Sequence, residues 1–143
     1  MSLDLDALRR QLIRHEGFRR WPYRDTVGKL TIGVGRNLDD VGLSDGEIRV
    51  LLDTDIGYRL RVLPRIFPWF AAQDDVRQRV LIDLSFMGIA TLLGFTRMLA
   101  AWAVGDYATA AAELLDSRYA RQVGSRAVTL AAMLRTGAEV ELV

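Results

Sequence analysis

An α+β fold, mostly α, with one small antiparallel sheet near the N-terminus, follows from three features of this 143-residue sequence. Apolar residues recur at three- and four-residue intervals over most of the chain, the spacing of helices packed on one face. Residues 18–35 break that rhythm: Asp25, Gly28, Gly33 and Gly35 punctuate a run in which Leu30, Ile32 and Val34 alternate, the pattern of short strands and turns. Beyond Pro64 and Pro68 everything reads as helix.

The first helix is expected over 4–16, where Leu5, Leu8 and Leu12 lie at helical spacing and Gly17 supplies a stop. At about 100° per residue, these leucines and Glu16 fall within about 80° of arc, so Glu16 extends the apolar stripe. The sheet follows, with a turn near Val27-Gly28-Lys29, then a polar connection over 37–43. Ser44-Asp45-Gly46-Glu47 has capping-box form. The helix it opens should end at Leu63, because Pro64 disfavours helix at the residue before it. Its apolar face is Ile48, Leu51, Leu52, Ile56 and Leu60. Further helices are expected near 74–87, 95–104, 107–115 and 125–135. The organisation expected is a single domain over 1–143. It has a small lobe at about 14–45, a linking helix at about 44–63 and a helical lobe at about 64–143, with helix 4–16 packed on the helical lobe.

Composition narrows the function. The chain is 50% hydrophobic and 26% charged, ordinary globular usage that argues against disorder. It has no Cys and one His, His15, which excludes a disulfide framework and Cys- or His-cluster metal sites. The net charge is +1, but residues 1–36 hold eight basic and four acidic side chains. This basic third suits an anionic polymer or a solvated Arg-rich face. No signal-peptide core follows the start, where Asp4 and Asp6 interrupt. Between Leu84 and Gly105 the only charge is Arg97. The arginine and the glycines Gly88 and Gly94 divide that run, so it reads as two buried helices and not a membrane span.

The chemistry is concentrated between Glu16 and Gly35: one Glu ending a helix, Asp25 nine residues on and Thr31 six beyond. Cleaving a glycoside needs one group to protonate the leaving oxygen and another to activate water or attack the sugar. Glu16 is singled out physically. Burial on the apolar stripe disfavours its charged form, as does the negative end of the helix dipole, and a general acid must hold its proton near neutral pH. A buried Glu kept charged by an Arg is the competing structural role. Gly33-x-Gly35 is a turn or a close backbone approach, since it lacks the following helix and Lys of a phosphate loop. Trp69 and Trp102 read as core, Trp21 as a residue near the expected cleft, and His15 as surface.

The run His15-Glu16-Gly17, Tyr23-Arg24-Asp25-Thr26-Val27-Gly28 and Leu30-Thr31-Ile32-Gly33-Val34-Gly35 resembles the active-site signature of T-even phage-type lysozymes, the family 24 glycoside hydrolases. A second match spans Ser117 to Ala127 with Arg135-Thr136-Gly137, and a weaker one runs from Leu81 through Phe86 to Gly94-Phe95. Together they cover most of the chain in the family's order. The resemblance implies a two-lobed lysozyme-like fold in which Glu16 donates the proton, Asp25 acts as base or places water, and Thr31 gives that water a second hydrogen bond. It also implies that Arg126 pairs with and orients the acid, opposing the effects of burial and dipole. Asn37 falls at the cleft edge, Phe86 against the sugar, and Glu113 at a saccharide contact. Arg36 stands where the family has His, Met87 where it has a polar amide, and Val123 replaces a hydroxyl residue. The segment before Ser44 is shorter than in the best-known members, which implies fewer strands.

The activity so implied is that of a muramidase, cleaving the β-1,4 bond from N-acetylmuramic acid to N-acetylglucosamine in bacterial peptidoglycan, as a phage or prophage endolysin. The family inverts, which sets an expected carboxyl separation of about 6.5–9.5 Å; retention, at about 5–5.5 Å, stays open. A monomer without metal or organic cofactor is implied. It resides in the host cytoplasm, without stable membrane insertion, until a holin-type pore admits it to the wall. Two rivals remain: an inactive wall-binding or structural module of the same fold, and a nucleic-acid-binding domain using Arg9, Arg10, Arg14, Arg19 and Arg20. No recognition-helix motif supports the second.

Overall fold

The computed structural model describes residues 2–140; residues 1 and 141–143 of the expected domain lie outside them. It is α+β and mostly α, and it divides into two compact units, Met1–Asp53 and Thr54–Val143.

In the first unit, helix α1 (Leu5–Glu16) is capped by Asp4, whose side chain accepts from the Ala7 amide at 2.9 Å. Three strands follow: β1 (Arg19–Arg24), β2 (Leu30–Gly33) and β3 (Arg36–Asn37), forming an antiparallel sheet in the order β1-β2-β3. Tyr23 faces Thr31 across one ladder and Asn37 faces Thr31 across the other. The polar connection doubles as a brace. Asp39 Oδ2 accepts from the Leu30 amide at 2.8 Å, and Asp40 takes hydrogen bonds from Lys29 Nζ and Asn37 Nδ2. Those donors hold the Asp40 carboxyl below the ordinary carboxylate range. Pro22 sits on the edge strand, where a missing N–H costs no ladder bond.

No residue of α1 falls in the buried class, and Leu5 is 53% and Leu12 43% exposed. The helix groups with the sheet in one compact unit. Thr31 is the one residue before Thr54 in the buried class among those described.

Helix α2 (Asp45–Ile66) opens on the expected capping box, with the Glu47 amide donating to Ser44 Oγ at 3.2 Å and the Ser44 amide to Glu47 Oε1 at 2.9 Å. Arg36 adds a two-pronged pair to the same carboxylate, Nη1 to Oε1 and Nη2 to Oε2, each at 2.7 Å. This ties β3 to the helix start and brings the Glu47 pKa down from 4.5 to about 2. A depressed carboxylate stabilises the fold above its unfolded pKa and loses that contribution as pH falls through the folded one. Glu47→Gln is therefore expected to lower the melting temperature at pH 7. The deficit should shrink below pH 4.5 and vanish near pH 2, in melts followed by circular dichroism.

Contrary to the expected stop at Leu63, α2 runs through Pro64 to Ile66. Pro64 removes one backbone donor, yet the Phe67 amide still reaches Leu63 O at 2.7 Å. Leu63, Phe67 and Phe70 are all buried, and packing of that end outweighs the local penalty. Of the expected apolar face of α2, Ile48, Leu51, Leu52 and Leu60 are exposed and Ile56 is half-buried.

The second unit continues with a short 3-10 turn at Phe70–Ala72 and helices α3 (Asp75–Ser85), α4 (Ile89–Leu93), α5 (Thr96–Ala103), α6 (Tyr107–Leu115), α7 (Arg118–Val123) and α8 (Ser125–Thr136). The expected core helices are present to within a few residues, whereas α4 and α7 lie in segments with no separately assigned helix. Trp102 is fully buried at the centre, its ring 5.6 Å from that of Trp69 and its Nε1 donating to Gln73 Oε1 at 3.0 Å. Ala110, Ala111 and Ala131 are buried where helices approach closely. Arg77 on α3 caps the far end of α8, donating to Leu134 O and Arg135 O while lying 3.5 Å over the Tyr107 ring. Among the described residues no helix is long and apolar enough to cross a membrane.

Candidate functional site

Glu16, Asp25, Thr31 and Asn37 all lie in the first unit, on the end of α1 and on the sheet. Asp25 opens the β1–β2 turn. Its Oδ1 accepts two backbone amides, Val27 at 3.0 Å and Lys29 at 2.8 Å, while its own amide donates to Lys29 O. This Asx-type closure fixes the side chain to its own turn. It uses one carboxylate oxygen and leaves Oδ2 without a hydrogen bond among the described residues.

Thr31 is only 3% exposed, on the middle strand between Tyr23 and Asn37. Its Oγ1 donates to Lys29 O at 2.9 Å, so the hydroxyl's remaining capacity is as an acceptor. Asp25 and Thr31 are thus oriented by the same residue, Lys29. Asn37, opposite Thr31 on the ladder, has its amide closed on Asp40 at both ends: Nδ2 donates to Oδ2 at 3.0 Å, and the Asp40 amide donates to Asn37 Oδ1 at 2.9 Å. It serves the connection after β3.

Glu16, at the last position of α1, differs from expectation in two respects. It is exposed. It also has no hydrogen-bond or ion-pair partner among the described residues. Its carboxyl lies instead against the backbone of Gly35: a β-carbon on that residue would stand 2.8 Å from Glu16 Oε2. The turn between β2 and β3 therefore carries the acid at its tip, and the strand leading into it carries Thr31. This contact was absent from the sequence reading; the glycine pair Gly33-x-Gly35 was its signal, read there only as a turn or close approach.

Arg126, Phe86 and Glu113 lie in the second unit. Arg126, on α8, is bonded through Nη2 to Asp83 Oδ1. Asp83 is on α3, which packs on α8 within the same unit. Phe86 ends α3 and is 40% exposed. The Arg59 guanidinium covers one face of its ring at 4.0 Å and is itself held by Ser85 Oγ at 2.9 Å. Glu113 lines a cavity of about 400 Å³ with Arg97, Arg118, Phe95 and Asp116, so charges of both signs surround it. Trp21 is 72% exposed.

No group of three or more His, Cys, Asp or Glu side chains among the described residues could hold a metal ion. No protein-family model matches the chain, and neither does any curated protein.

Proposed function

We propose that this chain is a peptidoglycan hydrolase of the phage lysozyme type, a muramidase acting on the β-1,4 bond between N-acetylmuramic acid and N-acetylglucosamine, made by a phage or prophage to lyse its host. The observation that carries the reading is the β2–β3 hairpin. It has a free carboxyl, Glu16, against its turn, and Thr31 on its strand beside Asp25, whose second oxygen is unused.

In the mechanism proposed, Glu16 protonates the departing glycosidic oxygen. A water donates one hydrogen to Asp25 Oδ2 and the other to Thr31 Oγ1, so its lone pair faces the anomeric carbon. Asp25 takes up the proton as the C–O bond forms, and the anomeric configuration inverts. The two backbone amides on Oδ1 hold the carboxylate in one orientation, which favours a placed water over a searching one. The basic residues of the first 36 suit an anionic wall.

The exposure of Glu16 favours a second reading, an inactive wall-binding or structural module of the same fold. One experiment separates the two. Purified protein is added to outer-membrane-permeabilised Gram-negative cells, turbidity is followed, and new reducing ends are identified. Loss of turbidity with N-acetylmuramic acid at the new ends, released first as the inverted anomer by proton NMR, is the expected result. Wall binding without new reducing ends would overturn the enzyme reading.

A further inference from the structure

We propose that Gly35 is a positioning residue for the Glu16 carboxyl: its bare backbone forms the seat on which the acid rests. A β-carbon there would lie 2.8 Å from Oε2, 3.1 Å from Cδ and 3.3 Å from Cγ of Glu16, all inside the about 3.5–4.0 Å at which carbon atoms normally touch. No hydrogen bond holds the carboxyl among the described residues, so this contact and the end of α1 set where it lies.

The chain contains its own control. Gly33 ends β2 and Gly35 lies two residues on in the turn, and both have left-handed φ, 68° and 67°. A β-carbon on Gly33 meets nothing within 4 Å, whereas one on Gly35 meets Glu16. Alanine at either position therefore incurs left-handed backbone strain, and only at 35 does it displace the acid. Oε2 is the far end of a flexible side chain, so the displacement costs little stability. It costs reactivity, because a proton donor must stand about 2.6–3.2 Å from the oxygen it serves. An error of about 1 Å in placement can slow a reaction on the order of 100-fold. This catalytic consequence rests on the muramidase reading; the contact does not.

The test compares Gly33→Ala with Gly35→Ala in protein carrying 13C-labelled glutamate, the Glu16 carboxyl signal being assigned by its loss in Glu16→Gln. The two variants should melt together, both below wild type. The Glu16 carboxyl resonance should move in Gly35→Ala and stay in place in Gly33→Ala. The lysis rate at saturating cell wall should fall at least about 10-fold further in Gly35→Ala, with the wall concentration for half-maximal rate unchanged, as loss of placement and not of binding requires. If Gly35→Ala does not fold, the pair Gly33→Asn and Gly35→Asn replaces it, since Asn tolerates the left-handed region. An unmoved Glu16 resonance at position 35, or equal shifts from both positions, overturns the proposal. A resonance that moves in a protein whose wild type releases no reducing ends leaves the contact standing and overturns the enzyme reading alone.

Discussion

Glu16→Gln is expected to lyse permeabilised cells at least about 100-fold, and up to about 10,000-fold, more slowly than wild type, the range that a lost general acid–base group commands. The substitution keeps the length and shape of the side chain and removes only its capacity to deliver a proton. The carboxyl lies against Gly35 without a hydrogen bond among the described residues, so an amide takes its place without stranding a partner. Melting temperature should therefore stay within about 1 °C, as for exposed substitutions that break no contact. Asp25→Asn is not so clean a probe. Oδ1 receives two backbone amides, and an amide turned the wrong way would present N–H to N–H. A Glu16→Gln protein that clears turbidity at the wild-type rate removes Glu16 from the chemistry, and with it the reading of the hairpin as a catalytic device.

Trp102→Ala is expected to be the most damaging single change to stability, at about 3–5 kcal/mol, the usual cost of emptying a buried aromatic site. The ring has no exposed surface, lies tilted 5.6 Å from that of Trp69 and donates to Gln73. Truncation leaves a cavity and an amide oxygen without its donor. For a chain of this size the melting temperature should fall by roughly 10 °C. Trp102→Phe refills most of the volume while still stranding Gln73, and should recover more than half of the loss. A drop of less than about 3 °C in Trp102→Ala, measured by circular dichroism, would place the centre of the helical unit's core elsewhere.

These two residues illustrate how differently parts of the molecule were legible. Trp102 was readable as core because it lies in an apolar, helix-spaced run with one charge, Arg97, and burial of such a run is nearly obligatory. The capping box at Ser44 and Glu47 and the turn around Gly28 were readable because both are closed by neighbours within a few residues. Asp25 belongs to the same class, its partners Val27 and Lys29 being local. Pro64 misled because its penalty is local and the burial of Leu63 and Phe67 is not.

Sequence by itself was sufficient for the α+β class, most of the helices and the hairpin, since each depends on periodicity or on contacts within about ten residues. Partnership at a distance was beyond it. That Arg126 meets Asp83, that Arg59 covers Phe86, that Arg77 caps α8 and that Glu16 rests bare against Gly35 are facts of packing in three dimensions. An amphipathic stripe records that a helix can bury one side, and not which side chains of distant segments meet, which a linear pattern does not enumerate.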